Sequence, residues 1–206
     1  MAFFEALRRA IRDYAEGVHQ AGEPLGQGGE RALEARLRRA LPPSYAELLR
    51  SFDGLMLFNE QLQLFGSADA GLCFLSDGSL RIGEGPEGAF LLGADGAVRL
   101  CDEEQPDPIV AGTDLERFLD ATLAREGLLV DREGEYRDVF DEEGALKPGA
   151  RRRRIQAGRK KDPGAALYLL EEAELLLEDQ QPEAALAALR QAVAGDPGAG
   201  AAWELL

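Results

Sequence analysis

The residues able to do chemistry are few. The chain has one histidine, His19, and two cysteines, Cys73 and Cys101. A zinc site takes three or four clustered Cys, His or carboxylate ligands, and these three residues are too scattered to supply one. No Ser-His-Asp or Cys-His set emerges. His19 reads as a surface side chain. The cysteines fall in apolar, strand-like segments, where a thiol behaves as a small hydrophobe. Gly83-Glu84-Gly85-Pro86-Glu87-Gly88 is glycine-rich, but it carries two acids and no lysine, so it cannot cradle phosphate. Asp131-Arg132-Glu133-Gly134-Glu135, with Glu142 further on, has some of the spacing of a calcium loop. Tyr136 stands where that loop requires its sharp-turn glycine, and a solvated acidic segment is expected instead. Carboxylates are plentiful, but without a pocket motif they do not specify acid–base catalysis. No cofactor and no metal are expected, and an enzyme is the least supported class.

Charge says more. The 206 residues carry 23 Lys+Arg against 38 Asp+Glu, a net charge of −15. Residues 1–150 hold 15 basic against 29 acidic groups, residues 151–161 hold seven basic groups and no acid, and residues 162–206 hold one Arg against nine acids. The acidic parts should repel nucleic acid and anionic membranes and attract basic partners. The run Arg151–Arg154 with Arg159–Lys161 lacks the interleaved aromatics of a nucleic-acid site. It reads as an extended, self-repelling linker that docks on the acidic surfaces flanking it. Neither nucleic acid nor membrane is expected as a partner. The N-terminus mixes charges with apolar residues, unlike a signal peptide. No apolar run approaches the ~18 residues of a membrane span. With two cysteines only, a reduced, cytoplasmic setting is the expectation.

The elements that position these residues follow from periodicity. Phe3, Phe4, Leu7, Ile11, Tyr14 and Val18 predict an amphipathic helix over 2–18. A second helix (32–40) runs into Leu41-Pro42-Pro43, and a third, marked by Tyr45, Leu48, Leu49 and Phe52, closes on Gly54. Short apolar segments then alternate with Gly/Asp turns: Leu62–Phe65, Leu72–Leu75, Ser79–Ile82, Ala89–Leu92 and Ala97–Cys101. This meander predicts an α+β fold. Thr113-Asp114-Leu115-Glu116 reads as a capping box opening a helix that ends at Gly127. Residues 128–146 predict a strand pair or an irregular tail.

Beyond the basic run, Asp162-Pro163-Gly164-Ala165 recurs as Asp196-Pro197-Gly198-Ala199, 34 residues on, the period of tetratricopeptide repeats. Ala173 and Leu176, then Ala185, Leu189 and Ala192, then Trp203 and Leu206 fall where such repeats carry small, large and aromatic residues; Glu172 departs from the pattern. Residues 162–206 therefore resemble a tetratricopeptide repeat and the start of a second. The period breaks off inside a helix, so the natural protein is expected to continue; the alternative is a hairpin that caps the first domain. Three parts are expected: an α+β domain at 1–146, a linker at 147–161 and the helical hairpin at 162–206.

Residues 3–145 resemble the SUKH superfamily. The likeness rests on Leu41-Pro42, Tyr45, Leu48-Leu49 and Asp53-Gly54, on Leu64-Phe65-Gly66 and Ile82-Gly83-Glu84-Gly85, and on the hairpin Ala89–Cys101 with the helix Asp114–Arg125. Asp53 stands where asparagine is common. The resemblance implies an α+β fold, with N-terminal helices packed on a curved antiparallel sheet, and a non-catalytic protein-binding protein. Bacterial members are commonly immunity proteins that neutralise toxins, so a basic toxin domain is the implied partner. The acids Glu84, Glu87, Asp102, Glu103, Glu104 and Asp107, on expected loops, are the candidate contact residues. The alternative function is an adaptor whose helical repeat holds a peptide or helix.

Overall fold

The computed structural model describes residues 2–102 and 107–205. Among them are eight helices and an eight-stranded antiparallel sheet, which makes the chain an α+β protein. It divides into two compact units, Met1–Gly96 with Arg132–Gly134, and Ala97–Asp131 with Glu135–Leu206.

The N-terminal unit begins with α1 (Ala2–Arg12). This helix is shorter than its apolar spacing predicts. The Ala15 N–H bonds to the Arg132 carbonyl at 2.7 Å and Gly17 takes φ +95°, so Tyr14 and Val18 belong to a turn. After β1 (Gln20–Ala21) come α2 (Gln27–Leu37) and α3 (Pro43–Ser51). Then follow β2 (Leu55–Leu57), β3 (Leu62–Leu64), β4 (Cys73–Phe74), β5 (Leu80–Gly85) and β6 (Gly88–Leu92). Within the unit the strands run β1-β2-β3-β5-β6, with β4 also pairing β5.

The motifs around Leu41–Gly54 meet at one corner of this unit. Pro43 starts α3 where a missing N–H is no loss. Tyr45, Leu48 and Leu49 are fully buried with Leu57, Leu80 and Ile82. The Tyr45 hydroxyl donates to the Phe65 carbonyl at 2.6 Å and lies 3.0 Å from that of Ile82, so α3 is tied to two neighbouring strand segments. Burial, reinforced by Asp69 and Asp53, pushes its phenol well above the usual tyrosine range. Asp53 accepts from the Ser67 N–H and hydroxyl, both at 2.5 Å, and the Asp53 carbonyl lies where a side chain on Gly66 would stand. These residues are the hinge-pins of a helix-to-sheet corner. Gly83, expected in a loop, is inside β5: a Cβ there would fall 2.1 Å from the Gln63 carbonyl oxygen.

The C-terminal unit contains β7 (Val98–Cys101), β8 (Ile109–Gly112), α4 (Leu115–Glu126), α5 (Pro148–Lys161), α6 (Ala166–Glu178), α7 (Pro182–Gly195) and α8 (Gly200–Glu204). The helices form a ladder, each packed on the next from α4 to α8, and α6 also packs on β8. Three expectations change here. The N-cap of α4 is Asp114, whose carboxylate accepts from the Arg117 N–H at 2.8 Å; Thr113 is instead held by Asp162. Residues 148–161, read as an extended linker, are helix α5, with Ala150, Ile155 and Gly158 on its buried face. Residues 128–146 form two matching turns, closed by the bridges Val130–Tyr136 and Phe140–Leu146. In each turn the aspartate N–H bonds to the carbonyl four residues on at 2.9 Å (Asp131 to Glu135, Asp141 to Ala145). Its carboxylate accepts the returning N–H at 2.9 and 2.8 Å. Gly134 and Gly144 take φ +86° and +84°.

Candidate functional site

The six acids singled out from sequence are not assembled into one described cluster. Glu84 lies on β5, not on a loop, and pairs with Arg81 at 2.8 Å. Glu87 is exposed in the β5–β6 turn. Both belong to the N-terminal unit. Asp102 is half-buried just after β7, and Asp107 is exposed before β8. Both belong to the C-terminal unit. Glu103 and Glu104 lie outside the described residues. Cys73 and Cys101 are free and half-buried on strands.

The more organised feature is the helical ladder. The recurrent Asp-Pro-Gly-Ala forms the same structure twice. Asp162 and Asp196 end α5 and α7 with φ/ψ of −136°/85° and −139°/90°. Their N–H groups bond to Gly158 and Ala192, each at 2.8 Å. Their carboxylates accept from Gly164 at 3.3 Å and Gly198 at 3.2 Å. Both carboxylates also reach β8 or the residue that follows it. Asp162 accepts from the Thr113 N–H at 2.6 Å and its hydroxyl at 2.9 Å, and Asp196 accepts from the Val110 N–H at 2.9 Å. Two aspartates 34 residues apart thus satisfy one backbone donor in β8 and one just after it, where they would otherwise stay open. They are 0% and 7% exposed.

The equivalence extends backwards. Pro148 opens α5 and Pro182 opens α7, and both helices are 14 residues long. Ile155 and Leu189, then Gly158 and Ala192, occupy the same buried positions 34 residues apart. The basic segment is therefore a copy of the second helix of the repeat, concealed by its charge. The sequence held this signal in Pro148/Pro182, Ile155/Leu189 and Asp162/Asp196.

Five of the seven cations of α5 are paired internally. Arg151 pairs with Glu178 at 2.7 Å and Glu174 at 3.4 Å, Arg154 with Glu126 at 2.8 Å, and Lys161 with Asp120 at 2.9 Å. Arg152 pairs with Asp179 and Arg159 with Glu172. Burial holds the Glu174 carboxyl above its ordinary range, against the pull of Arg151. Below them Arg125, 3% exposed, makes a two-pronged pair with Glu171 at 2.9 and 2.7 Å. It also stacks 4.6 Å from the Tyr168 ring centre. Burial raises the Tyr168 phenol, with Arg125 opposing.

His19 is half-buried rather than a surface side chain. Its Nδ1 accepts from the Phe58 N–H at 3.3 Å, and its ring stands edge-on to Tyr14 and Phe58, each at 4.6 Å. Burial lowers its pKa to about 4. Among the described residues no group of three or more His, Cys, Asp or Glu is placed to hold a metal ion. Among them no helix is long and apolar enough to cross a membrane. In comparisons with protein-family models, curated proteins and solved structures, nothing matched this chain.

Proposed function

We propose that the protein is a non-catalytic binding protein of the immunity type, which captures and neutralises a basic toxin domain. The SUKH-like motifs of residues 3–145 suggest this class. The observation that carries the reading is the internal use of α5. Five of its seven cations are paired with the chain's own acids, so most of the basic run is not left to bind nucleic acid, and the chain's excess of 38 acids over 23 bases is available to a basic protein. Such a field speeds and orients encounter more than it adds affinity. Asp102 and Asp107, flanking residues outside the described set, are the contact residues proposed first, with Glu84 and Glu87 on the other unit.

A direct test is protection from the product of a neighbouring gene. Co-expression with an adjacent toxin domain should restore growth, and Asp102→Lys with Asp107→Lys should abolish protection. A toxin that kills equally with and without this chain overturns the reading.

The 34-residue repeat favours a second reading, an adaptor whose ladder holds a peptide or helix. Deleting 162–206 does not discriminate, because it removes Asp162 and Asp196 from β8 and the cover from Arg125. Exposed-face changes do. Leu177→Glu with Trp203→Glu, at positions 41% and 55% exposed, should leave toxin binding unchanged on the first reading and abolish partner binding on the second.

A further inference from the structure

The two hairpins of the helical ladder differ at their tips. Between α6 and α7 the chain turns in three residues (179–181), whereas between α4 and α5 it takes twenty-one (127–147). Helix–helix connections in bundles ordinarily take about 2–8 residues, and much longer ones are usually functional. Insertions in helical repeats fall on one face, often the binding face. This insertion is regular. Val130 and Tyr136 bridge its first turn as Phe140 and Leu146, each ten residues on, bridge its second.

The two turns differ in what they present. Leu146 is half-buried, but its counterpart Tyr136 is 56% exposed, the most exposed large hydrophobic side chain among the described residues. A leucine satisfies the second turn, so the turn itself does not call for a tyrosine ring. Phe140 holds that ring in a T-shaped contact at 5.3 Å, so it is positioned and yet more than half open. Residues 131–147 carry seven acids against three bases. The exposed carboxylates of Glu135, Glu142 and Glu143 have no partner among the described residues. An aromatic ring among carboxylates selects a cation, and guanidinium fits best because it stacks on rings and pairs with carboxylates. A free small cation would need a concave pocket around it. An open, positioned tyrosine suits a side chain presented by another protein, and Tyr and Arg are enriched among interface anchors.

We propose that the α4–α5 insertion is a docking arm for an arginine-rich segment of a partner protein, with one guanidinium over Tyr136 and neighbouring cations held by Glu135, Glu142 and Glu143. This rests on the reading that the partner is basic, and it names a surface that receives it.

The test is titration of the isotope-labelled full chain with a hexa-arginine peptide, read by NMR at the Tyr136 ring and at each backbone amide. Saturable shifts at the Tyr136 ring and at the amides of Glu135, Glu142 and Glu143 are expected. Tyr136→Leu copies Leu146 at an exposed position and so keeps the turn. It should weaken the peptide about three- to tenfold, whereas Tyr136→Phe, which keeps a ring, should stay within about twofold of the native affinity. Shifts that do not saturate, shifts spread over acidic surface away from the arm, or equal affinity in Tyr136→Leu would each overturn the proposal. The peptide is not the toxin. A negative result here counts against the arm and leaves capture through Asp102 and Asp107 to its own test; a toxin that does not bind the chain counts against toxin capture and not against the arm.

Discussion

Replacing Asp196 by Ala should open β8 at one amide and leave its neighbour closed. The Asp196 carboxylate holds the Val110 N–H at 2.9 Å and the Gly198 N–H at 3.2 Å. A hydrogen bond to a charged group contributes about 1.5–3 kcal/mol, and an orphaned buried donor adds a penalty. For Val110 alone this corresponds to roughly 10–100-fold faster local exchange. Asp162→Ala should do the same at Thr113, where the carboxylate receives N–H, hydroxyl and the Gly164 N–H. With three donors released, Asp162→Ala should be the more destabilising, by about 3–5 kcal/mol against about 2–3 for Asp196→Ala. Native-state hydrogen exchange resolved to single amides reads the two sites separately. Denaturant curves serve only as support, because two units need not unfold together. Unchanged Val110 protection in Asp196→Ala, or equal loss at Val110 and Thr113 in both variants, would refute the view that the repeat is pinned to the strand through these carboxylates.

Three further predictions rest on separate features. Gly83→Ala places a Cβ against the Gln63 backbone at 2.1 Å and should cost more than ~2 kcal/mol, measured as a lower urea midpoint with an unchanged slope. Arg125→Met strands a half-buried Glu171 and should cost up to about 3–5 kcal/mol, whereas Arg125→Met with Glu171→Leu should recover most of it; a double variant as unstable as the single one would show that the pair itself is essential. His19 has a folded pKa of about 4 against an ordinary 6.5, so the unfolded chain takes up its proton first. Its contribution to stability is present above pH 6.5 and is lost as pH falls towards 4; His19→Gln should flatten that part of the pH–stability curve, and an unchanged slope would contradict the assignment.

What could be read from sequence divides by the range of the interaction. Proline at the start of α3, glycine after it and the two-residue alternation of the meander are local rules, and the elements they predict are present. The failures involve partners distant in the chain. Thr113 satisfies a capping pattern with Glu116, but a buried Asp162 outcompetes that local role. Seven cations in eleven residues repel one another when only neighbours are considered. The partners of five of them, Asp120 and Glu126 on one side and Glu172, Glu174, Glu178 and Asp179 on the other, become neighbours only when α4 and α6 pack on α5. The charge of α5 therefore hid the repeat it belongs to, although Pro148, Ile155 and Asp162 preserve its framework. Asp131 and Asp141 begin the same turn twice, ten residues apart, and Gly134 and Gly144 mark it. For the acidic candidates, the exposure of Glu84, Glu87 and Asp107 was legible, but not the half-burial of Asp102, the ion pair that engages Glu84 or the division of these four between two units.

The central claim, capture of a basic protein by an acidic chain most of whose α5 cations are paired internally, is tested most directly by calorimetric titration of the intact chain with the purified neighbouring toxin domain across a salt series. The account predicts binding that weakens steadily as salt rises, with a shallower salt dependence after Asp102→Lys and Asp107→Lys. Affinity independent of salt and unchanged by those substitutions would contradict it.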